Sequence, residues 1–274
     1  MFAYTYTDKI DIICHLVIDH TKIPIKMTRE KRAPLKFYYD EEEPGRIEIG
    51  IDEAGRGPLF GRLYVAAVVL PKDTTVLEEW ARRDIRDSKK YTSKKKIGEI
   101  SKYIRETAFA FDVQFVEAYE IDAINIRQAV LLAMHRCAKN VLTAVRRHRP
   151  LLMADGPVPP EEPISPEEKF FLLLVDGCDF TPHIEWDEAT ESMREVPSVT
   201  VEGGDNTYMS IAAASILAKV ARDEYIGELC AEHPYLVERY GLDTNMGYGT
   251  KKHMEGIRAF GITEWHRKSY GPCK

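Results

Sequence analysis

Apolar and polar positions alternate from Arg46 onward. Ile47, Ile49 and Ile51 interleave with Glu48, Gly50 and Asp52, the period of a strand. The turn sequence Gly55-Arg56-Gly57-Pro58 follows. The Val-rich run Leu63 to Leu70 then predicts a second strand, joined to the first by a hairpin-like connection and ended by Pro71. Ala108 to Val116 predicts a third strand, the wholly apolar Phe170 to Val175 a central one, and Ser198 to Val201 a short one. Helices are predicted over Lys94 to Glu106, about Ile121 to Arg147, and about Thr207 to Leu229. Three strands followed by alternating helix and strand predict an α/β sheet with helices on both faces.

Composition shifts divide the chain. Residues 1–45 pass from mixed apolar content through a basic stretch at Arg29 to Lys36 to the acidic run Asp40 to Glu43, and are expected to be an N-terminal appendage. Residues 148–168, rich in proline and glutamate, are expected to form an insertion loop. Beyond residue 230 the pattern is helix and loop, with turns at Gly241, Gly247, Gly249 and Gly261. No apolar run approaches the ~20 residues that span a bilayer, so no membrane partner is expected. Ile10 to Ile18 lacks the flanks of a signal peptide, and a cytoplasmic location is expected. The five cysteines are scattered, with no CxxC pair, as expected of reduced thiols rather than a zinc site.

The formal net charge of −6 argues against a nucleic-acid partner until its distribution is considered. Residues 151–196 hold twelve acidic and two basic side chains, which leaves the rest of the chain at +4. Basic residues cluster at Lys89-Lys90, Lys94 to Lys96, Arg146-Arg147, Lys251-Lys252 and Arg267-Lys268, runs able to neutralise phosphates.

The candidate chemistry lies in carboxylates at element ends. Asp52 and Glu53 stand where a strand runs into a glycine turn, a place suited to holding a hard cation through oxygen. Asp176 repeats the arrangement after Phe171 to Val175. Asp155, which opens the proline-rich insertion after Leu151 to Ala154, is the weaker alternative. Asp223 shares a helical stripe with Ala212, Ile216 and Lys219, where a carboxylate needs either an ion pair or a metal.

In order along the chain, Ile51-Asp-Glu-Ala-Gly-Arg-Gly-Pro, Asp87-Ser-Lys-Lys-Tyr, Asp176-Gly, Gly204-Asp205, the helix Ser210 to Asp223, Gly247-Tyr-Gly-Thr-Lys-Lys-His and His266-Arg-Lys-Ser-Tyr resemble ribonuclease HII, the type 2 ribonuclease H family. The resemblance covers about residues 46–272. It implies an RNase H-like fold: a mixed five-stranded sheet flanked by helices, a catalytic domain over 46–230 and a C-terminal helical substrate-binding region over 231–274. It also implies that Asp52, Glu53, Asp176 and Asp223 bind two divalent ions, Mg2+ or Mn2+. The implied substrates are RNA–DNA hybrid and DNA duplex containing single ribonucleotides, cut on the 5′ side to leave a 3′-hydroxyl and a 5′-phosphate. The backbone of Gly55, Arg56 and Gly57 would read the 2′-hydroxyl, the Arg56 side chain would grip a phosphate, Lys89 would contact a phosphate, and Tyr248 would stack on a sugar. Arg56 favours type 2 over type 3, where threonine is usual. Met246 and Gly203 depart from the pattern, standing where basic residues are common. A monomer is expected. The alternatives are another RNase H-like nuclease acting on DNA and a catalytically inactive hybrid-binding protein.

Overall fold

The computed structural model describes residues 34–40, 46–83, 85–91, 93–152, 170–187 and 191–274. The strands are β1 (Ile47–Ala54), β2 (Leu63–Val69), β3 (Ala110–Val116), β4 (Phe171–Asp176), the hairpin β5 (His183–Asp187) and β6 (Ser192–Val196), and β7 (Ser198–Val201). Five of them form one mixed sheet in the order β3-β2-β1-β4-β7. β1 is antiparallel to β2 and parallel to β4, so it is the strand on which the direction changes.

Both faces of the sheet are covered, and the alternation in β1 therefore separates two cores rather than core from solvent. Ile47, Ile49 and Ile51 pack with Leu63, Val65 and Phe171 under α4 (Ile126–Leu152). The opposite face, with Ala66 and Val68, packs under α5 (Met209–Glu232), with α1 (Thr74–Arg82) and α2 (Lys94–Thr107) beyond it. Glu48 is buried on this side, where it accepts the backbone N–H groups of Tyr39 (2.8 Å) and Asp40 (3.0 Å). Residues 34–40, grouped with the appendage on composition, thus belong to the main unit; Lys36 also exchanges backbone bonds with Thr207 and Met209.

The small-residue run Ser210 to Ala218 lets α5 lie unusually close to β1. A side chain at Gly50 would run into the backbone of Ser210 and Ile211, so only glycine fits there.

Three elements differ from the sequence expectation. The single helix expected from Ile121 is two, α3 (Ala118–Ile124) and α4, divided at Asn125, whose φ of 68° no helix continues. α1 was not expected, although Asp73 caps it by accepting Thr75 N–H at 2.8 Å. The β5–β6 hairpin was missed because its polarity is inverted. Glu185 pairs inward with Arg146 (2.8 Å) and Asp187 with Arg194 (3.0 Å), while Ile184, Trp186 and Met193 face outward. The insertion expected over 148–168 begins within α4, and its remainder lies outside the described residues.

The C-terminal region adds α6 (Tyr235–Tyr240), α7 (Leu242–Asn245) and α8 (Lys251–Phe260). An imidazole pair ties it together. Thr263 N–H donates to His266 Nδ1 at 2.9 Å, so His266 carries its proton on Nε2 and donates to His253 Nε2 at 3.1 Å. His253 Nδ1–H in turn donates to the Tyr248 carbonyl at 2.9 Å. Each imidazole must be neutral for this wire to close. Burial, and behind it His253, brings His266 from the ordinary 6.5 to about 4, and burial lowers His253 in the same direction.

Two outcomes follow from this packing. Gly50→Ala should cost about 2–3 kcal/mol by forcing α5 off β1 and should lower cleavage as well; an unchanged midpoint in thermal denaturation would count against the close approach. The folded pKa of His266 lies below the unfolded one, so its contribution is complete above pH 6.5 and is lost as pH falls toward 4. The expected loss is on the order of 3 kcal/mol. Urea unfolding of wild type and His266→Asn should converge over that window. A gap independent of pH would refute the neutral wire.

Candidate active site

The end of β1 and the end of β4 bring the first carboxylates together. The parallel register Ile51↔Val175 sets Asp176 beside Asp52. Asp52 is buried on the α5 side, accepting from Glu53 N–H at 2.7 Å and from the Ser215 hydroxyl. Ser215 Oγ lies 3.0 Å from Ser88 Oγ, so a buried hydroxyl pair links the Asp87-Ser-Lys turn to Asp52 through α5. Asp176 accepts Gly204 N–H at 2.7 Å, which draws in the turn that carries Asp205.

Asp205 is almost fully buried. Its Oδ1 accepts from Asn206 at 2.8 Å, while Oδ2 has no hydrogen bond and lies 3.7 Å from Lys89 Nζ. The Asp87 carboxylate is near enough to repel it. The charges register one another. Burial, and behind it Asp176 and Glu53, holds the Asp52 carboxyl well above the usual carboxylate range. Burial raises Glu53 too, with Asp176 adding to it and Arg56 opposing. Asp205 is raised by burial, Asp87 and Asp176. Burial works against the charge on Lys89, yet Asp205, Asp87, Asp52 and Asp176 together raise its pKa.

The structure does not bring Asp223 to this cluster. Asp223 lies eight residues beyond Ser215 on α5, about 12 Å along the axis at 1.5 Å per residue. One of its carboxylate oxygens pairs with Lys219 a turn earlier, and the other is buried without a hydrogen bond. Asp205 occupies the place beside Asp176 that the sequence reading gave to Asp223. Its signal was an acid directly after Gly203-Gly204, at the entry to a helix of small residues. Asp155 lies outside the described residues.

The remaining candidates line one rim. Gly55 adopts φ +95°, a conformation suited to glycine, and a side chain there would overlap Arg222. Arg56 is exposed, with Nη1 3.8 Å from Glu53 Oε1. Tyr248 is 52% exposed, and its ring lies 3.6 Å from the position a Gly57 Cβ would take, so the glycine loop and the tyrosine flank each other.

Among the described residues no three carboxylate, imidazole or thiol groups are already drawn to metal-ligand spacing. The chemistry of the set nevertheless fits a hard cation. Its donors are all oxygen, burial and mutual repulsion raise the Asp52 and Asp205 carboxyls, and buried Asp205 Oδ2 accepts no hydrogen bond, with Lys89 Nζ 3.7 Å away. Among the described residues no helix is long and apolar enough to cross a membrane.

The sequence model of the family "Ribonuclease HII" matches residues 49–154 and 163–273, which includes Asp176 and omits Asp155. A ribonuclease HII from Parabacteroides distasonis is 40% identical over 228 residues, 83% of this chain and 92% of that protein. The ribonuclease H2 of Pyrococcus horikoshii superposes with a TM-score of 0.53 at 19% identity, covering 83% of this chain and 95% of the other. The Bst ribonuclease HIII crystallised with Mn2+ gives 0.54 at 18% identity, covering 84% and 68%. The family match spans most of the chain and includes all four of the acids that converge, so the chain belongs to the ribonuclease HII family of type 2 ribonuclease H endonucleases, enzymes that depend on divalent metal.

Proposed function

We propose that this ribonuclease H cuts the RNA strand of RNA–DNA hybrids and also cuts 5′ of single ribonucleotides embedded in duplex DNA, leaving a 3′-hydroxyl and a 5′-phosphate. The observation that carries this reading is the adjacency of a self-repelling carboxylate cluster to a glycine loop faced by an exposed tyrosine.

Asp52, Glu53, Asp176 and Asp205 would hold two divalent ions, Mg2+ or Mn2+; we assign the fourth place to Asp205 and not to Asp223. When bound, such ions activate the attacking water and stabilise the leaving oxygen. The protein's own residues supply the rest. Ser215, backed by Ser88, fixes the rotamer of Asp52. Lys89 and Arg56 offer positive charge to the phosphates on either side of the acids. Gly55 and Gly57 let the backbone come close enough to read a 2′-hydroxyl. The face of Tyr248 offers a stacking surface for the neighbouring sugar, where deoxyribose fits more closely than ribose. The protein would act as a monomer.

A duplex with one embedded ribonucleotide should be cut at that position in the presence of Mg2+ or Mn2+, with an all-DNA duplex left intact. Comparable cutting of both would favour a DNA nuclease, and binding without cutting an inactive binder. Asp205→Asn should lower kcat by more than the roughly 10–100-fold typical of groups that only support a metal ligand, and should abolish the rise in melting temperature on adding Mn2+. Asp223→Asn should keep both; the reverse pattern would return the fourth place to Asp223. Without metal, Asp52→Asn should melt higher than wild type, because it removes a buried charge facing Asp176 and Glu53. A lower melting temperature would contradict that repulsion.

A further inference from the structure

Two arginines lie buried beneath the glycine loop, and among the described residues neither forms an ion pair with a carboxylate. Arg267 is fully buried. Its Nε donates to the Gly61 carbonyl at 2.9 Å, and its Nη1 to the carbonyls of Pro58 (2.9 Å) and Arg56 (3.2 Å). Arg222 is 3% exposed, and its Nη2 donates to the carbonyls of Met246 (2.8 Å) and Phe60 (3.3 Å). Tyr270 adds its hydroxyl to the Arg56 carbonyl at 2.6 Å. Burying two guanidiniums side by side is costly, and burial together with Arg267 brings Arg222 down to about 10. Backbone carbonyls offset much of that cost, four of them from residues 56–61, and the Tyr270 hydroxyl accepts from Arg267 Nη1 at 3.1 Å.

We propose that Arg222, Arg267 and Tyr270 are positioning residues that set how the glycine loop reads a 2′-hydroxyl, a proposal that rests on the substrate reading above. The geometry supplies the means. The peptide plane places the Arg56 carbonyl and the Gly57 N–H on opposite sides. With the carbonyl held down by Arg267 and Tyr270, the Gly57 N–H points away from them. Arg222 also bridges the two loops. Its Nη2 donates to both the Met246 and the Phe60 carbonyls, and its side chain fills the space a Gly55 Cβ would need. Its Cζ lies 5.9 Å from the centre of the Tyr248 ring. Arg222, together with the Leu59 N–H to Gly247 carbonyl bond at 2.9 Å, therefore holds the loop and the tyrosine at a fixed separation. Lysine could keep the charge but not the fork of donors.

The test is a cycle between protein and substrate. Cleavage of duplexes carrying one 2′-hydroxyl or one 2′-fluoro nucleotide is measured for wild type, Tyr270→Phe, Arg267→Lys and Arg222→Lys, alongside melting temperatures. Wild type should lose heavily on the fluoro substrate. The variants should lose less, giving a coupling of about tenfold for the arginines and several-fold for Tyr270→Phe. A purely structural role would slow both substrates equally, and an unchanged ratio in all three variants overturns the proposal. Should the arginine variants fail to fold, Tyr270→Phe decides alone, since it removes one hydroxyl from a partly exposed ring. Equal cutting of both substrates by wild type would overturn the 2′-hydroxyl reading itself, a result distinct from an unchanged ratio.

Discussion

The close approach of α5 to β1 at Gly50 is the constraint on which the site depends. Nothing larger than hydrogen fits between them, so strand and helix run as one rigid unit. Along that seam the helix delivers Ser215 to Asp52, and further on it delivers Arg222 to Gly55 and the carbonyls beyond it. One packing contact thus places a group that orients a carboxylate and a group that supports the glycine loop, about two turns apart. Positions on a rigid strand–helix pair are held more closely than positions on loops, which is what catalysis by orientation needs.

The same seam concentrates unfavourable charge. Asp52, Glu53, Asp176 and Asp205 meet at the ends of parallel strands and in the turn before α5, and burial adds to their mutual repulsion. The protein tolerates this because the opposing scaffold is apolar and well packed, with wholly buried β2 and the buried first six residues of β1 at its centre. Lys89, Arg56 and the backbone N–H groups of Glu53 and Gly204 relieve part of the repulsion.

Much of this could be read from the residues. The five sheet strands, α2 and α5 follow from apolar periodicity, because their burial pattern is simple. Asp52, Glu53 and Asp176 stand out as acids at strand ends. Other features were hidden for physical reasons. The hairpin β5–β6 keeps its charged residues inside, paired with Arg146 and Arg194, which defeats a rule that expects apolar residues inward. The break at Asn125 depends on one backbone angle within a continuous apolar pattern. Asp223 satisfies a helical stripe, but periodicity along a helix carries no information about distance from the sheet. The turn around Gly204 places Asp205 instead, and Asp223 settles into a pair with Lys219.

The glycine loop is held by donors that are remote in sequence. Arg267 and Tyr270 reach the Arg56 carbonyl from as many as 214 positions away. Its shape is therefore not a local property of the Gly-Arg-Gly turn, because the carbonyls meet their partners only once the distant segment has docked. Contacts of such long range form late in folding, after the entropy of closing the intervening chain has been met. The turn is thus a reporter of tertiary structure: it has its final shape only where the whole fold around it has it too.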